Sequence, residues 1–361
     1  QPLLTVLIEP ERMADLSLEK WDLLVRQARQ AGLLSRLALL AEERGLTENL
    51  PVVVKRHLFA SATAAARQRQ AVLWEARKLD QALSREGIPA LLLKGAAYVV
   101  GDLPPAQGRL FADIDILVPK AALAQAESTL MLHGWLSSHH SAYDQRYYRR
   151  WMHELPPMTH IRRKSNLDVH HNLLPETAHL RTRPNLVIAA SQPIPGYQSL
   201  CMPCLEDLVL HSATHLFHEG EWGHALRDLV DIDALLRHGV NRPEWWKDLF
   251  QRGRELGLTE PMGLALRYSA LLLHTPVPNE LLAETAPSTL SRSRLIHDVL
   301  FLRGFASAHH SCDLAGHALA KFLLYVRSHA LRMPLHLLLR HLAYKAWLVA
   351  LPEKRPTEDK N

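Results

Sequence analysis

With 361 residues, 47% of them hydrophobic, the chain is long enough for one large domain or two ordinary ones around a sizeable core, which excludes a short stapled scaffold or a disordered polypeptide. Its 42 basic and 37 acidic residues are interspersed and leave a formal net charge of +5, a mild bias that suits an anionic substrate but not the concentrated basic footprint of a nucleic-acid-binding protein. Three cysteines, Cys201, Cys204 and Cys312, cannot form a disulfide framework, so a soluble protein of a reducing, cytoplasmic compartment is expected.

The first apolar run, Gln1 to Ile8, is stopped by Glu9 and Pro10 before a signal core or a membrane span is complete. The chain starts without Met, so a removed upstream segment stays open. Residues 15–86 read as helices: Leu16, Leu18, Trp21 and Leu24, then Leu33, Leu37 and Leu40, recur at three-to-four spacing, and Ala60 to Leu83 is rich in helix formers. Gly87 closes that stretch as a C-cap signal. Ile88 to Leu93 is a short apolar run of the kind a buried strand produces, and Lys94-Gly95-Ala96 follows as a tight strand-to-helix turn made possible by the glycine.

A loop with Pro104, Pro105 and Gly108 leads to Arg109 and then to Asp113-Ile114-Asp115-Ile116-Leu117-Val118, a strand entering a core from a polar edge and ended by Pro119. Ala121 to Leu132 is a helix, Gly134 opens another extended piece, and Met158 to Arg163 with Leu167 to His171 predicts a hairpin turning near Lys164-Ser165-Asn166. From Pro203 the pattern is helical again: Leu205 to Phe217, Ala225 to Leu236, Arg242 to Glu255, Pro261 to Leu273 and Leu314 to Leu351. The most apolar part of the last, Leu335 to Leu351, is interrupted by Arg340, His341 and Lys345 and reads as an amphipathic helix rather than a span.

Two carboxylates two positions apart on a strand face the same way, so Asp113 and Asp115 can share a divalent-cation site suited to phosphoryl chemistry. Asp is depleted in strands. Here two of them lead into an apolar strand, and a third, Asp168, lies in a later one. These features in order, Leu93-Lys94-Gly95-Ala96, Arg109, the paired-Asp strand and Leu167-Asp168-Val169-His170, resemble an uncharacterised branch of the polymerase-beta-like nucleotidyltransferases. The likeness continues through Asp207 to His211, His215, Trp222 and Arg227 to Asp231, covering roughly residues 70–240. Lys94-Gly95 stands where many relatives carry Gly-Gly or Gly-Ser.

The resemblance implies an α+β fold: a small mixed sheet in a nucleotidyltransferase core over residues 66–202, an N-terminal helical region over 1–65, a C-terminal helical domain over 203–351 and a disordered tail over 352–361. It implies a two-metal Mg2+ site, or Mn2+ in its place, held by Asp113, Asp115 and Asp168. Lys94, Gly95, Ala96 and Arg109 would bind the nucleotide phosphates, with His170, His211 and His215 lining the pocket. The implied partners are a nucleoside triphosphate and a small-molecule, peptide or protein acceptor, with no nucleic acid and no membrane span. The alternative is a non-catalytic nucleotide-binding or scaffold module of the same fold.

Rival sites are weaker. His211, His215 and His218 share a helical face, but the stretch His-Ser-Ala-Thr-His lacks the Glu of a metalloprotease helix, and with 22 histidines in the chain such pairs arise by chance. Asp228, Asp231 and Asp233 with Arg227 read as a salt-bridged helix, His170-His171 as solvated apart from any one that reaches the site, and Cys201-x-x-Cys204 as coincidence.

Overall fold

The computed structural model describes residues 2–137, 148–149, 151–220, 222–285 and 291–334. Four helices come first: α1 (Pro2–Ile8), α2 (Leu18–Gln30), α3 (Leu34–Glu43) and the 33-residue α4 (Val52–Ser84). Ser17 caps α2 by accepting from the Lys20 N–H, and the helix buries Trp21, Leu24, Val25 and Ala28 on the stripe that the spacing predicts. The boundary expected at residue 65 falls inside α4, because the buried stripe Val54, Leu58, Ala65, Val72, Ala76, Leu79 and Leu83 runs through it without a break. One helix thus serves both the N-terminal bundle and the sheet.

The sheet has seven strands in the order β3-β4-β5-β2-β1-β7-β6. They are β1 (Ala90–Leu93), β2 (Asp113–Leu117), β3 (Trp135–Ser137), β4 (Met158–His160), β5 (Asn166–His170), β6 (Gln192–Pro193) and β7 (Leu200–Met202). The expected neighbours are found. β1 and β2 pair antiparallel with Leu91 opposite Leu117, and β4 and β5 form the expected hairpin with Met158 opposite Leu167. β2 with β5, and β1 with β7, run parallel, so the sheet is mixed. All four residues of β1 are buried, as a continuously apolar central strand requires. Helices α5 (Lys94–Val100), α6 (Leu123–Leu132) and α7 (Pro184–Ala189) connect the strands.

Helix α4 is tied to the sheet by polar contacts that the apolar periodicity does not announce. The buried Asp80 carboxylate accepts from the backbone N–H groups of Gln198, Ser199 and Leu200 at 2.8–3.0 Å, holding the entry of β7. Glu75 pairs with Arg163, whose guanidinium lies 4.6 Å from the Trp135 ring.

Seven further helices follow: α8 (Leu205–His218), α9 (Ala225–Gly239), α10 (Trp245–Leu256), α11 (Thr259–Leu273), α12 (Asn279–Glu284), α13 (Ser291–Gly304) and α14 (His317–Arg332). Twelve of the fourteen residues of α8 are buried, so it forms the axis of this half. Near its end Phe217 packs in a cluster with Trp222, Tyr268, Phe301 and Phe305, the contacting ring centroids 5.2–6.4 Å apart. The helix expected from Leu314 begins instead at His317, after Gly316 at φ +78°. It ends at Arg332, where Met333 is extended, so the helix expected to run unbroken to Leu351 stops there; residues 335–351 and the expected disordered tail lie outside the described residues. No described helix is long and apolar enough to cross a membrane. One core cluster runs from Leu3 to Leu324, and Gln27 joins the two ends by donating to Ser311 at 2.9 Å and accepting from Ser307 at 3.0 Å.

Candidate active site

The strand register builds the centre. β5 runs parallel to β2 with Asp168 directly opposite Asp115, and because side chains alternate along a strand, Asp113, Asp115 and Asp168 all emerge on one face. On the other side of β2, Leu93 lies opposite Asp115, so the chain leaving β1 delivers Lys94 to the same place. The Lys94 ammonium donates to Asp115 Oδ1 at 3.1 Å, and His170 Nε2 meets the same oxygen at 3.1 Å.

The glycine turn differs from its expectation. The left-handed residue is Lys94, at φ +44°, while Gly95 already lies inside α5. What requires glycine at 95 is space: a Cβ there would stand 2.5 Å from the Phe111 ring. A lysine held in that conformation by its buried ion pair is backbone strain placed at the carboxylates.

The three carboxylates differ electrostatically. Burial opposes the charge of Asp115, but Lys94 and His170 outweigh it and hold its carboxyl well below the usual range. Asp168 is pushed up to about 7 by burial and by the neighbouring Asp115 and Glu154 carboxylates. Asp113 is raised by burial and by Asp115. Burial would lower the Lys94 ammonium, yet Asp115 and Glu219 reverse this and keep it charged above its ordinary range. Two of three converging carboxyls are thus pushed up by burial and by their like-charged neighbours. This is the imbalance that a hard divalent cation with oxygen ligands relieves, so the residues fit Mg2+ or Mn2+.

A cleft of about 210 Å³ opens beside them, with Lys94, Gly95, Asp113, Asp115, Arg109 and His215 in its walls. Arg109, expected as a phosphate clamp, lines the cleft as one partner of an ion pair. It is buried, ion-paired with Asp231 and 4.0 Å from Asp228, and its guanidinium lies 5.5 Å from the Tyr98 ring and 5.4 Å from the Phe111 ring. Asp228 does pair with Arg227 at 2.8 Å, whereas Asp231 turns away from its own helix to meet Arg109. Ala96 is buried in the first turn of α5 behind the cleft wall.

Of the histidines expected to line the pocket, only His215 does so, and its Nε2 lies 2.6 Å from Glu219. His170 is 4% exposed and stands behind the carboxylates, which overturns its reading as solvated. His211 is also buried, and burial and the Lys94 charge hold it down at about 3, as a neutral ring. The helical face of His211, His215 and His218 does not gather ligands. Among the described residues, His153, Glu154 and His170 each bring one ligand atom within 4.8 Å of one another. Glu154, Glu219 and His153 carried no sequence signal beyond the four-residue step from His215 to Glu219, because residues 153–154 and Glu219 reach the centre from two segments apart from the aspartate strands. Cys201 and Cys204 are both free thiols.

A family model described as an uncharacterised nucleotidyltransferase matches residues 17–274, more than half of the chain. No curated protein and no solved structure matches.

Proposed function

The chain belongs to the uncharacterised nucleotidyltransferase family, and from that premise we propose that it moves a nucleoside monophosphate from a nucleoside triphosphate to a small-molecule, peptide or protein acceptor, releasing pyrophosphate. Nucleotidyl transfer is the general activity that this membership carries. The observation supporting the finer reading is the register of Asp115 against Asp168 on parallel strands, with Asp113 on the same face beside the cleft.

Asp113, Asp115 and Asp168 would hold Mg2+, or Mn2+ in its place. When bound, such an ion supplies charge stabilisation to phosphate oxygens and to the attacking oxygen. The protein's own groups supply the rest. Lys94, at the mouth of the strand, adds a fixed positive charge facing the triphosphate, with Gly95 and Ala96 forming the turn beneath it. Arg109, locked to Asp231, sets the wall by fixing Phe111 and Tyr98. Placing the acceptor beside the α-phosphate is itself a large part of the rate in such displacements.

The three carboxylates separate by role. Asp113→Asn and Asp115→Asn each remove a charged oxygen that magnesium prefers, so Mg2+-dependent triphosphate affinity and transfer should fall together. Asp168→Asn should keep most of the affinity while transfer drops by orders of magnitude, because aligning the attacking oxygen matters mainly in the transition state. Calorimetric binding and pyrophosphate release measured on all three check this. Lost binding in Asp168→Asn with transfer retained in the paired-Asp variants would refute the assignment.

A second reading is favoured by one contact. The Lys94 ammonium already occupies Asp115 Oδ1, where a cation would bind, which suits a nucleotide-binding module without turnover. Triphosphate binding with no pyrophosphate release under any acceptor would select it.

A further inference from the structure

Behind the carboxylates, Glu154 lies directly across a short antiparallel bridge from His170. The Leu155 N–H donates to the Val169 carbonyl at 2.9 Å and the His171 N–H to the His153 carbonyl at 2.8 Å, so residues 153–155 form a strand-like edge on the end of β5. His153 and His170 are 2% and 4% exposed, and their ring centroids lie 5.2 Å apart.

The polar surroundings of the two rings are alike. His170 turns Nε2 to Asp115 at 3.1 Å and Nδ1 to Glu154 Oε2 at 3.3 Å. His153 turns Nε2 toward Glu219 at 3.8 Å, and its buried Nδ1 has no hydrogen-bond partner among the described residues. His170 is thus backed by Asp115 within hydrogen-bond distance, His153 has Glu219 at longer range, and the remaining nitrogens are His170 Nδ1, facing Glu154, and the unpartnered His153 Nδ1. Metal-binding histidines are oriented by this arrangement. One ligand atom each from His153, Glu154 and His170 lie within 4.8 Å of one another. Four ligands at about 2.0–2.1 Å from a tetrahedral ion stand about 3.3 Å apart, and the His170 to Glu154 pair already has that spacing.

We propose that His153, Glu154 and His170 form a second metal centre, selective for zinc over magnesium and adjacent to the three aspartates on the same face of the sheet, with a ligand set of its own. Two imidazoles and one carboxylate suit a borderline-soft ion of the late first row, whereas magnesium requires an oxygen cage. The ion clamps residues 153–155 to β5 and, through His170, fixes the orientation of Asp115. The His211–His215–His218 face takes no part in it. The proposal does not depend on the nucleotidyl-transfer reading.

The test uses the full chain, stripped with a chelator and then titrated with Zn2+ against a chromophoric competitor in millimolar Mg2+. One Zn2+ per chain should be retained. Glu154→Gln and His153→Ala should each weaken it by at least about tenfold, and Asp115→Asn, which removes the charge backing His170 as well as the partner of Lys94, by about 10–100-fold. Asp113→Asn should stay within threefold of wild type. Co2+ in place of Zn2+ should give a visible ligand-field absorption that disappears in Glu154→Gln, an isosteric change that keeps the test decisive if His153→Ala does not fold. Loss of zinc to millimolar Mg2+, wild-type affinity in both Glu154→Gln and His153→Ala, or an equal loss in Asp113→Asn would each overturn the proposal.

Discussion

Lys94 and Asp115 are the pair on which the centre turns. Asp115 is buried and Lys94 half-buried, and Asp115 keeps its charge because an ammonium and an imidazole share one of its oxygens. Removing one partner of a buried ion pair costs about 3–5 kcal/mol, since the other charge is left in a poorly solvated place. Lys94→Ala should fall at the lower end of that range, because His170 remains. A cation that binds the carboxylates should restore part of the loss, so saturating Mg2+ should raise the melting temperature of Lys94→Ala more than that of wild type. The same variant should lose triphosphate affinity while binding a nucleoside unchanged. Thermal shifts with and without Mg2+, and calorimetry with the two ligands, decide this. Equal Mg2+ gains in both proteins would mean that Lys94 does not share its place with the cation.

Between elements, the loop before β2 is locked to α9 by Arg109 and Asp231. Asp231 is 3% exposed, and burial with the nearby Asp228 lifts its carboxyl to about 6 even against Arg109. Arg109→Ala should therefore destabilise by about 3–5 kcal/mol. The double change Arg109→Met with Asp231→Leu should recover much of this, because it leaves no buried charge unpaired. Denaturant unfolding of the single and double variants measures the coupling, and additive losses would show that the two side chains act independently.

At the end of α8, burial and then the Arg327 charge hold His218 down at about 4. A lowered histidine favours the folded state only while neutral. The unfolded chain takes up the proton near pH 6.5 and the folded chain near 4, so stability is complete above about 6.5 and lost as the pH falls toward 4. The shift corresponds to roughly 3 kcal/mol, at about 1.4 kcal/mol for each pH unit. His218→Gln should flatten that part of the acid slope when unfolding free energy is measured from pH 7 to 4. An unchanged slope would place the acid sensitivity elsewhere.

Across the whole molecule, the core cluster joins N-terminal helices, sheet and C-terminal helices, α4 crosses from the first to the second, and Gln27 links α2 to residues 307–311. Parts that share a core do not melt separately. Tryptophan fluorescence, which averages eight residues spread along the sequence from Trp21 to Trp347, should give the same denaturation midpoint as far-UV circular dichroism. Two separated transitions would mean that the helical regions unfold as independent units.

The sequence by itself determined the elements whose cause is local. Apolar runs gave β1 and β2 as neighbours, three-to-four spacing gave α2, α8, α9 and α11, and the Asp113-x-Asp115 step put two carboxylates on one face. Only the tertiary structure could decide what those residues meet. Which carboxylate Arg109 pairs with, whether His170 is solvated or carries Asp115, and whether Glu154 and Glu219 reach the centre depend on segments tens of residues apart. Periodicity records which side of an element is apolar. A buried charge leaves no such trace, because its low cost comes from a partner that folding brings to it from elsewhere in the chain.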